Sequence, residues 1–227
     1  MGGIDQNFDK ALLYYRMGEE IDDPDALNNL GSMHYQGDAL PLDHEKARHY
    51  FERAAAAGCA AAMNNLGRMY LDGEGGLKVD IGKGLTLLKR GAEAFDENAA
   101  LKLKSIYRDG SYGQRKNNFE YVRWLWQAAY NGNAESYAVI GDLLAKGEII
   151  KKQLERVRPL YQRALTGGAG YGAFCLGIDY CSGKCGPQDV DKGLRYLRQA
   201  ADMGEDGAAE VADGIMRAML EAAEEDE

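Results

Sequence analysis

The side chains able to do chemistry in this chain are scattered rather than assembled. Its four cysteines are Cys59, Cys175, Cys181 and Cys185. Three share one short stretch at spacings of six and four, and none forms a C-x-x-C pair. A structural zinc site needs four ligands, yet His34, His44 and His49 stand far from those cysteines along the chain. Serines are few, and no Gly-x-Ser-x-Gly turn presents one as a nucleophile. Gly73-Glu74-Gly75-Gly76 looks like a phosphate loop only on the surface. It follows a helical pattern instead of a strand, and it lacks the Lys-Ser or Lys-Thr that would meet phosphate and magnesium. Carboxylates are plentiful, but no acid–base pair stands out by spacing. The expectation is a protein that is not an enzyme, with no catalytic residue, no cofactor and no metal.

Composition narrows the remaining classes. The chain has 227 residues, of which 45% are hydrophobic and 28% charged, enough to build a packed core. Lys and Arg number 27 against 36 Asp and Glu, a formal charge of −9. That balance opposes binding to a phosphate backbone, so no nucleic-acid partner is expected. No apolar run reaches the roughly 18–20 residues that cross a bilayer, and no membrane insertion is expected. Met1-Gly2-Gly3-Ile4-Asp5 has neither the basic flank nor the apolar stretch of a signal peptide, and Gln6 breaks the myristoylation pattern. A cytoplasmic location is the simplest expectation; a periplasmic or secreted chain with its leader removed reads the same.

The elements that position side chains follow from the glycines. There are 29 Gly and only 4 Pro, a balance that suits short helices closed by left-handed caps. Gly37, Gly73, Gly110, Gly147 and Gly183 recur at intervals of 36, 37, 37 and 36 residues. Ahead of each lies an aliphatic residue, Leu30, Leu66, Leu103, Ile140 or Leu176, and ahead of that a small one, Ala26, Ala62, Ala99, Ser136 or Gly172. After each comes a second block with an aromatic or Leu residue (Tyr50, Leu87, Trp124, Leu160, Tyr196) and a small-residue pair such as Ala54-Ala55 or Ala200-Ala201. Ala26, Leu30 and Met33 fall at i, i+4 and i+7, the apolar stripe of an amphipathic helix. Asp43, Asp80 and Asp189 are placed to cap the second helices.

One helical pair cannot bury its own stripe, so neighbours must stack. The repeats read as a half unit over 5–24, which includes Asn7, then full units over about 25–60, 61–97, 98–133, 134–168 and 169–205. A capping helix over 206–223 follows, running into the acidic end Glu224-Glu225-Asp226-Glu227. The domain expectation is a single solenoid over 1–227.

Ala62-Met63-Asn64-Asn65-Leu66-Gly67-Arg68-Met69-Tyr70-Leu71-Asp72-Gly73-Glu74-Gly75, with the Lys-Ala-like and Ala-Ala blocks behind it, resembles the Sel-1-like repeat family, relatives of the tetratricopeptide repeat. Ala26 to Gly37 is nearly as close, with His34 where Tyr is usual. The resemblance implies an all-α, right-handed superhelical solenoid of helix-turn-helix repeats and an adaptor or scaffold role. Two middle repeats depart from it. The third has Lys102-Leu103-Lys104 for Asn-Leu-Gly and Glu120-Tyr121 for Lys-Ala; the fourth has Gln153, Arg156 and Val157.

By likeness to tetratricopeptide arrays, the first helices line a concave wall. Its inward residues are then Asn28, Asn29, Ser32, Tyr35, Asn64, Asn65, Arg68, Leu71, Lys102, Ser105 and Arg108. The binding set expected from them is Asn28, Asn29, Asn64, Asn65, Arg68, Lys102 and Arg108. Asparagine amides pair with peptide groups, and the three cations suit an acidic group or a chain-terminal carboxylate. The plainer role for Asn29 and Asn65 is to tie neighbouring turns together, and for the cations to be solvated. In the fifth repeat the same wall turns apolar at Tyr171, Phe174, Ile178 and Cys181, as a pocket for a partner side chain or as a surface covered by the last helix. Trp124 falls in a packing column, whereas Trp126 lies on another face as a contact residue. A protein or peptide partner is therefore expected. The alternative implied by secreted, cysteine-rich relatives is a penicillin-binding or β-lactamase-like hydrolase. Such relatives carry a cysteine pair in every repeat, and here only the fifth repeat has several.

Overall fold

The computed structural model describes residues 8–225, with side chains from Lys10 to Ala222. Asn7 and the terminal Asp226-Glu227 lie outside the described residues. Among those residues the regular structure is entirely helical, twelve α-helices and one short 3-10 turn. The chain divides into two compact units, Met1–Asn131 and Gly132–Glu227.

The first unit opens with α1 (Phe8–Glu19) and continues as three hairpins. These are α2 (Pro24–Gln36) with α3 (His44–Ala56), α4 (Ala60–Asp72) with α5 (Ile81–Glu93), and α6 (Glu97–Asp109) with α7 (Asn118–Tyr130). The second unit holds α8 (Ala134–Lys146) with α9 (Val157–Thr166), α10 (Gly170–Ser182) with α11 (Val190–Asp202), and then α12 (Ala208–Glu225).

The helices stop and start where their end residues can satisfy the backbone. Gly37, Gly73, Gly110, Gly147 and Gly183 follow the first helices with φ between 67° and 77°. Each donates its N–H back to the preceding turn, a bond that a Cβ at that φ would strain. Asp43, Asp80 and Asp189 accept the N–H of Lys46, Lys83 and Lys192, each at 2.9 Å. Asn117 does the same for α7. First helices are capped too, by Asp23, Asp96 and Asn133. The fourth repeat lacks such a cap for its second helix. A 3-10 turn, Leu154–Arg156, leads into α9, which is shorter than its counterparts. Pro159 sits in its first turn, where a missing N–H costs nothing.

Burial crosses repeats, as stacking requires. In the first unit Leu27, Leu30, Phe51, Met63, Leu66 and Met69 form one buried cluster drawn from two hairpins. Each fully buried residue of this kind contributes roughly 1.5–3 kcal/mol of apolar burial. Gly67 on α4 faces Gly84 on α5: a Cβ on Gly84 would sit 2.9 Å from the Gly67 carbonyl oxygen and 2.7 Å from Leu71. The two helices touch through backbone there. Leu71 is 2% exposed in that contact, so it belongs to the core and not to the inner wall expected for it. In the second unit, Leu194, Leu197 and Ala212 join α11 to α12, with Phe174, Cys181, Val211 and Ile215 packed around them. Trp124 is 1% exposed and donates from Nε1 to Glu120. Trp126 is half-buried near Tyr130, with ring centroids 6.2 Å apart.

Candidate functional site

In the first unit the first helices α2, α4 and α6 present two adjoining cavities. One, of about 230 Å³, is lined by Ser32, Tyr35, Gln36, Phe51, Asn65 and Arg68. The other, of about 500 Å³, is lined by Asn64, Asn65, Arg68, Asn98, Lys102 and Ser105, among others. Asn65 and Arg68 belong to both. Two side chains are unfinished here. Arg68 is exposed and makes no hydrogen bond or ion pair with a described residue. Asn64 is 6% exposed, and its Oδ1 is buried without a donor among the described residues. A buried acceptor left open in this way costs about 1–3 kcal/mol.

The other expected wall residues are differently employed. Asn65 Nδ2 donates to Asn28 Oδ1 at 3.1 Å, so that pair ties α4 to α2. Asn29 is half-buried and lines neither cavity. Lys102 donates to the Tyr112 hydroxyl at 3.1 Å, and that hydroxyl donates to Asp72 at 2.8 Å, which holds the ammonium on the wall. Arg108 lies outside both cavities and pairs with its neighbour Asp109 at 2.8 Å. Tyr35 donates to Glu74 at 2.7 Å; burial, then that bond, pushes the phenol above its usual range and keeps it a donor. Asn98, which also lines the larger cavity, was not marked by the sequence pattern.

The second unit has its own cavity, of about 210 Å³, between α8, α10 and the loop after α10. Tyr171, Phe174 and Ile178 line it, as do Asp142, Tyr161, Cys175 and Cys185. Of the four apolar positions expected here, only Cys181 turns away, packing against α11 at Val190 and Gly193; Phe174 touches both the cavity and the α11–α12 cluster, and Ile178 is 39% exposed. Asp142 accepts from Tyr161 at 2.7 Å and Tyr171 at 2.8 Å, with the Cys175 thiol 4.0 Å away. Nearby Asp179, almost fully buried, accepts from Arg158 and from the Cys185 N–H. The Arg158 guanidinium also lies 3.9 Å from the centroid of the Tyr180 ring.

All four cysteines are free. Burial pushes the thiols of Cys175 and Cys185 up to about 12, the bond to Asp179 adding to the second. Burial likewise raises Cys59 and Cys181. Thiols held this way stay protonated near neutral pH, so none is an activated nucleophile. Among the described residues no group of three or more His, Cys, Asp or Glu is placed to hold a metal ion. No helix among them is long and apolar enough to cross a membrane.

The Sel1 repeat family model matches residues 1–20, 24–59, 60–94 and 171–205, more than half of the chain. The chain belongs to the Sel1 repeat family. The unmatched span, 95–170, contains the repeats with Lys102-Leu103-Lys104 and with Gln153-to-Val157, where packing columns persist without the polar signature. An uncharacterized protein of Neisseria meningitidis serogroup B is 38% identical over 200 residues, covering 88% of this chain and 41% of that protein. The chain therefore spans about two fifths of the length of this curated relative. Among solved structures, a Sel1 repeat protein from Oxalobacter formigenes is 25% identical, with a TM-score of 0.69 over 90% of this chain and 87% of its own. A protective antigen of uropathogenic Escherichia coli, displaying the same repeat fold, superposes with a TM-score of 0.78 over 95% of this chain and 46% of its own. At 24% identity that likeness concerns the fold alone.

Proposed function

We propose that this Sel1 repeat protein is a non-catalytic interaction module that takes an extended peptide or protein segment on the first-helix wall of its first unit. The observation that carries this reading is the pair of adjoining cavities sharing an uncommitted Arg68, beside the open acceptor Asn64 Oδ1. An extended segment suits this wall. Its peptide groups can pair with the amides that line the wall, and an acidic side chain or terminal carboxylate can take the guanidinium fork. Lys102 adds positive potential from a fixed position, whereas Arg108, already paired with Asp109, does not enter the site. The protonated thiols support the non-catalytic part of the reading.

The test is calorimetric titration of the whole chain with a hexapeptide blocked at both ends and carrying two central aspartates. Arg68→Ala should weaken binding about tenfold, which is about 1.4 kcal/mol, and Arg108→Ala should leave it unchanged. Equal affinity for the wild type and Arg68→Ala would remove the proposal.

A further inference from the structure

The cavity of the second unit is built on the same helical positions but has a carboxylate, Asp142, where the first has Ser32. Asp142 lies on α8 and lines it. No Lys or Arg among the described residues forms an ion pair with Asp142; its donors are two tyrosine hydroxyls and, more distantly, a thiol. A carboxylate offers about four lone-pair sites, so it retains capacity for a further donor. Burial, followed by the bond to Asp142, holds both phenols well above their usual range, so they remain neutral donors and add no charge of their own. The walls are aromatic and aliphatic: Tyr171 and Phe174 lie nearly parallel, 6.3 Å apart and 17° from coplanar, with Ile178 beside them.

The other charges at the cavity are accounted for. Asp179 is committed to Arg158 and the Cys185 amide. Lys146 and Lys184 also line the cavity with exposed side chains, and neither forms an ion pair with Asp142. Where the smaller cavity of the first unit has Arg68, this one has Ile178, and no described cation forms an ion pair with its carboxylate.

We infer that this cavity is a second binding site, which takes the guanidinium of a partner arginine side chain. The head group bonds to Asp142 while the stem and the guanidinium plane lie along Tyr171, Phe174 and Ile178. Such a plane stacks on aromatic faces and presents several donors at once, which a carboxylate with partly filled lone pairs can receive. The molecule already contains this chemistry one turn along, in Arg158 bound to Asp179 and stacked on Tyr180. Here the arginine comes from outside.

The experiment titrates the whole chain with three tripeptides blocked at both ends, Ala-Arg-Ala, Ala-Leu-Ala and Ala-Asp-Ala. The arginine peptide should bind at least tenfold more tightly than the leucine peptide, whereas any binding of the aspartate peptide should depend on Arg68. Asp142→Asn should abolish that preference, and Arg68→Ala should leave it intact, which separates this site from the one in the first unit. Ile178→Asp, at a position tolerant of a polar side chain, should strengthen arginine binding several-fold with the fold intact by circular dichroism. Equal binding of the leucine peptide, or arginine binding unchanged in both Asp142→Asn and Ile178→Asp, would overturn the inference.

Discussion

Two cavities in this molecule occupy the same register and differ in what they ask of a guest. Ser32, Gln36, Phe51, Asn65 and Arg68 in the first unit correspond to Asp142, Lys146, Tyr161, Cys175 and Ile178 in the second, each pair 110 positions apart. The helical scaffold is equivalent: a Cβ at Gly31 would meet the Phe51 ring at 2.7 Å, and one at Gly141 would meet the Tyr161 ring at 2.6 Å. The changes lie in the side chains around the opening and in one floor residue, Phe51 against Tyr161. In the first unit the charge is Arg68, which forms no ion pair with a described residue; in the second, a carboxylate joins two lysines of the lining and its floor gained a phenol, because Tyr161 supplies the hydroxyl that Phe51 lacks. A repeat scaffold thus keeps its inward-packing columns nearly constant and varies charge in the columns beside them, where substitution costs little packing.

Grafting one cavity's chemistry onto the other is the most direct way to break this comparison. Ile178→Arg places in the second cavity the cation that the first one has. It should pair with Asp142 and weaken Ala-Arg-Ala binding about thirtyfold by calorimetry, a little over 2 kcal/mol. Tyr161→Phe restores the floor of the first cavity and removes one donor from Asp142. Urea unfolding should show a loss of roughly 1.5 kcal/mol, as for a hydrogen bond to a charged group. Ser32→Asp makes the reverse graft: the new carboxylate should occupy Arg68 and weaken binding of the aspartate hexapeptide about tenfold, about 1.4 kcal/mol.

Smaller effects separate binding from stability. Phe95 has φ 68° in the turn where Gly58, Gly132, Gly168 and Gly204 stand in other repeats. Phe95→Gly should raise stability by about 1 kcal/mol, the left-handed strain relieved less the entropy glycine adds to the unfolded chain. It should leave both peptide affinities as they were. The cap of α6 is Asp96, where α8 has Asn133. Burial raises the Asp96 carboxyl above its usual range, the bond from Ala99 N–H opposing that shift. Its folded form therefore holds a proton more tightly than its unfolded form. The stability it contributes is present in acid and lost as pH rises from the usual carboxylate value, about 3.9, through the raised one. Asp96→Asn keeps the cap and removes that dependence, so its stability profile should be flatter across this window and slightly higher at neutral pH.

Much of the architecture was legible in residue types. The period of the marker glycines and the aspartates ahead of second helices identify ends that the structure shows as left-handed caps and side-chain caps. Both are local events, decided within a few residues. Most of the apolar columns were legible for the same reason; Leu71, whose partner Gly84 lies across a loop, was not, and Leu87 and Tyr196 are only half-buried beside the fully buried Leu88 and Leu197. Asn64 and Arg68 were also marked as wall residues. Asp142 was not, although aligning it with Arg68 at the position after the glycine would have exposed it.

What the sequence determined by itself is the hairpin and its repetition, because helix periodicity, caps and glycine turns depend on neighbours in the chain. Which polar side chains are free to meet another molecule was decided only by tertiary structure. Lys102 is tied through Tyr112 to Asp72 and Asn65 to Asn28, while Asp142 gathers tyrosines from two other helices. These partners stand some 10 to 40 positions apart, and only the stacking of hairpins brings them within hydrogen-bonding reach.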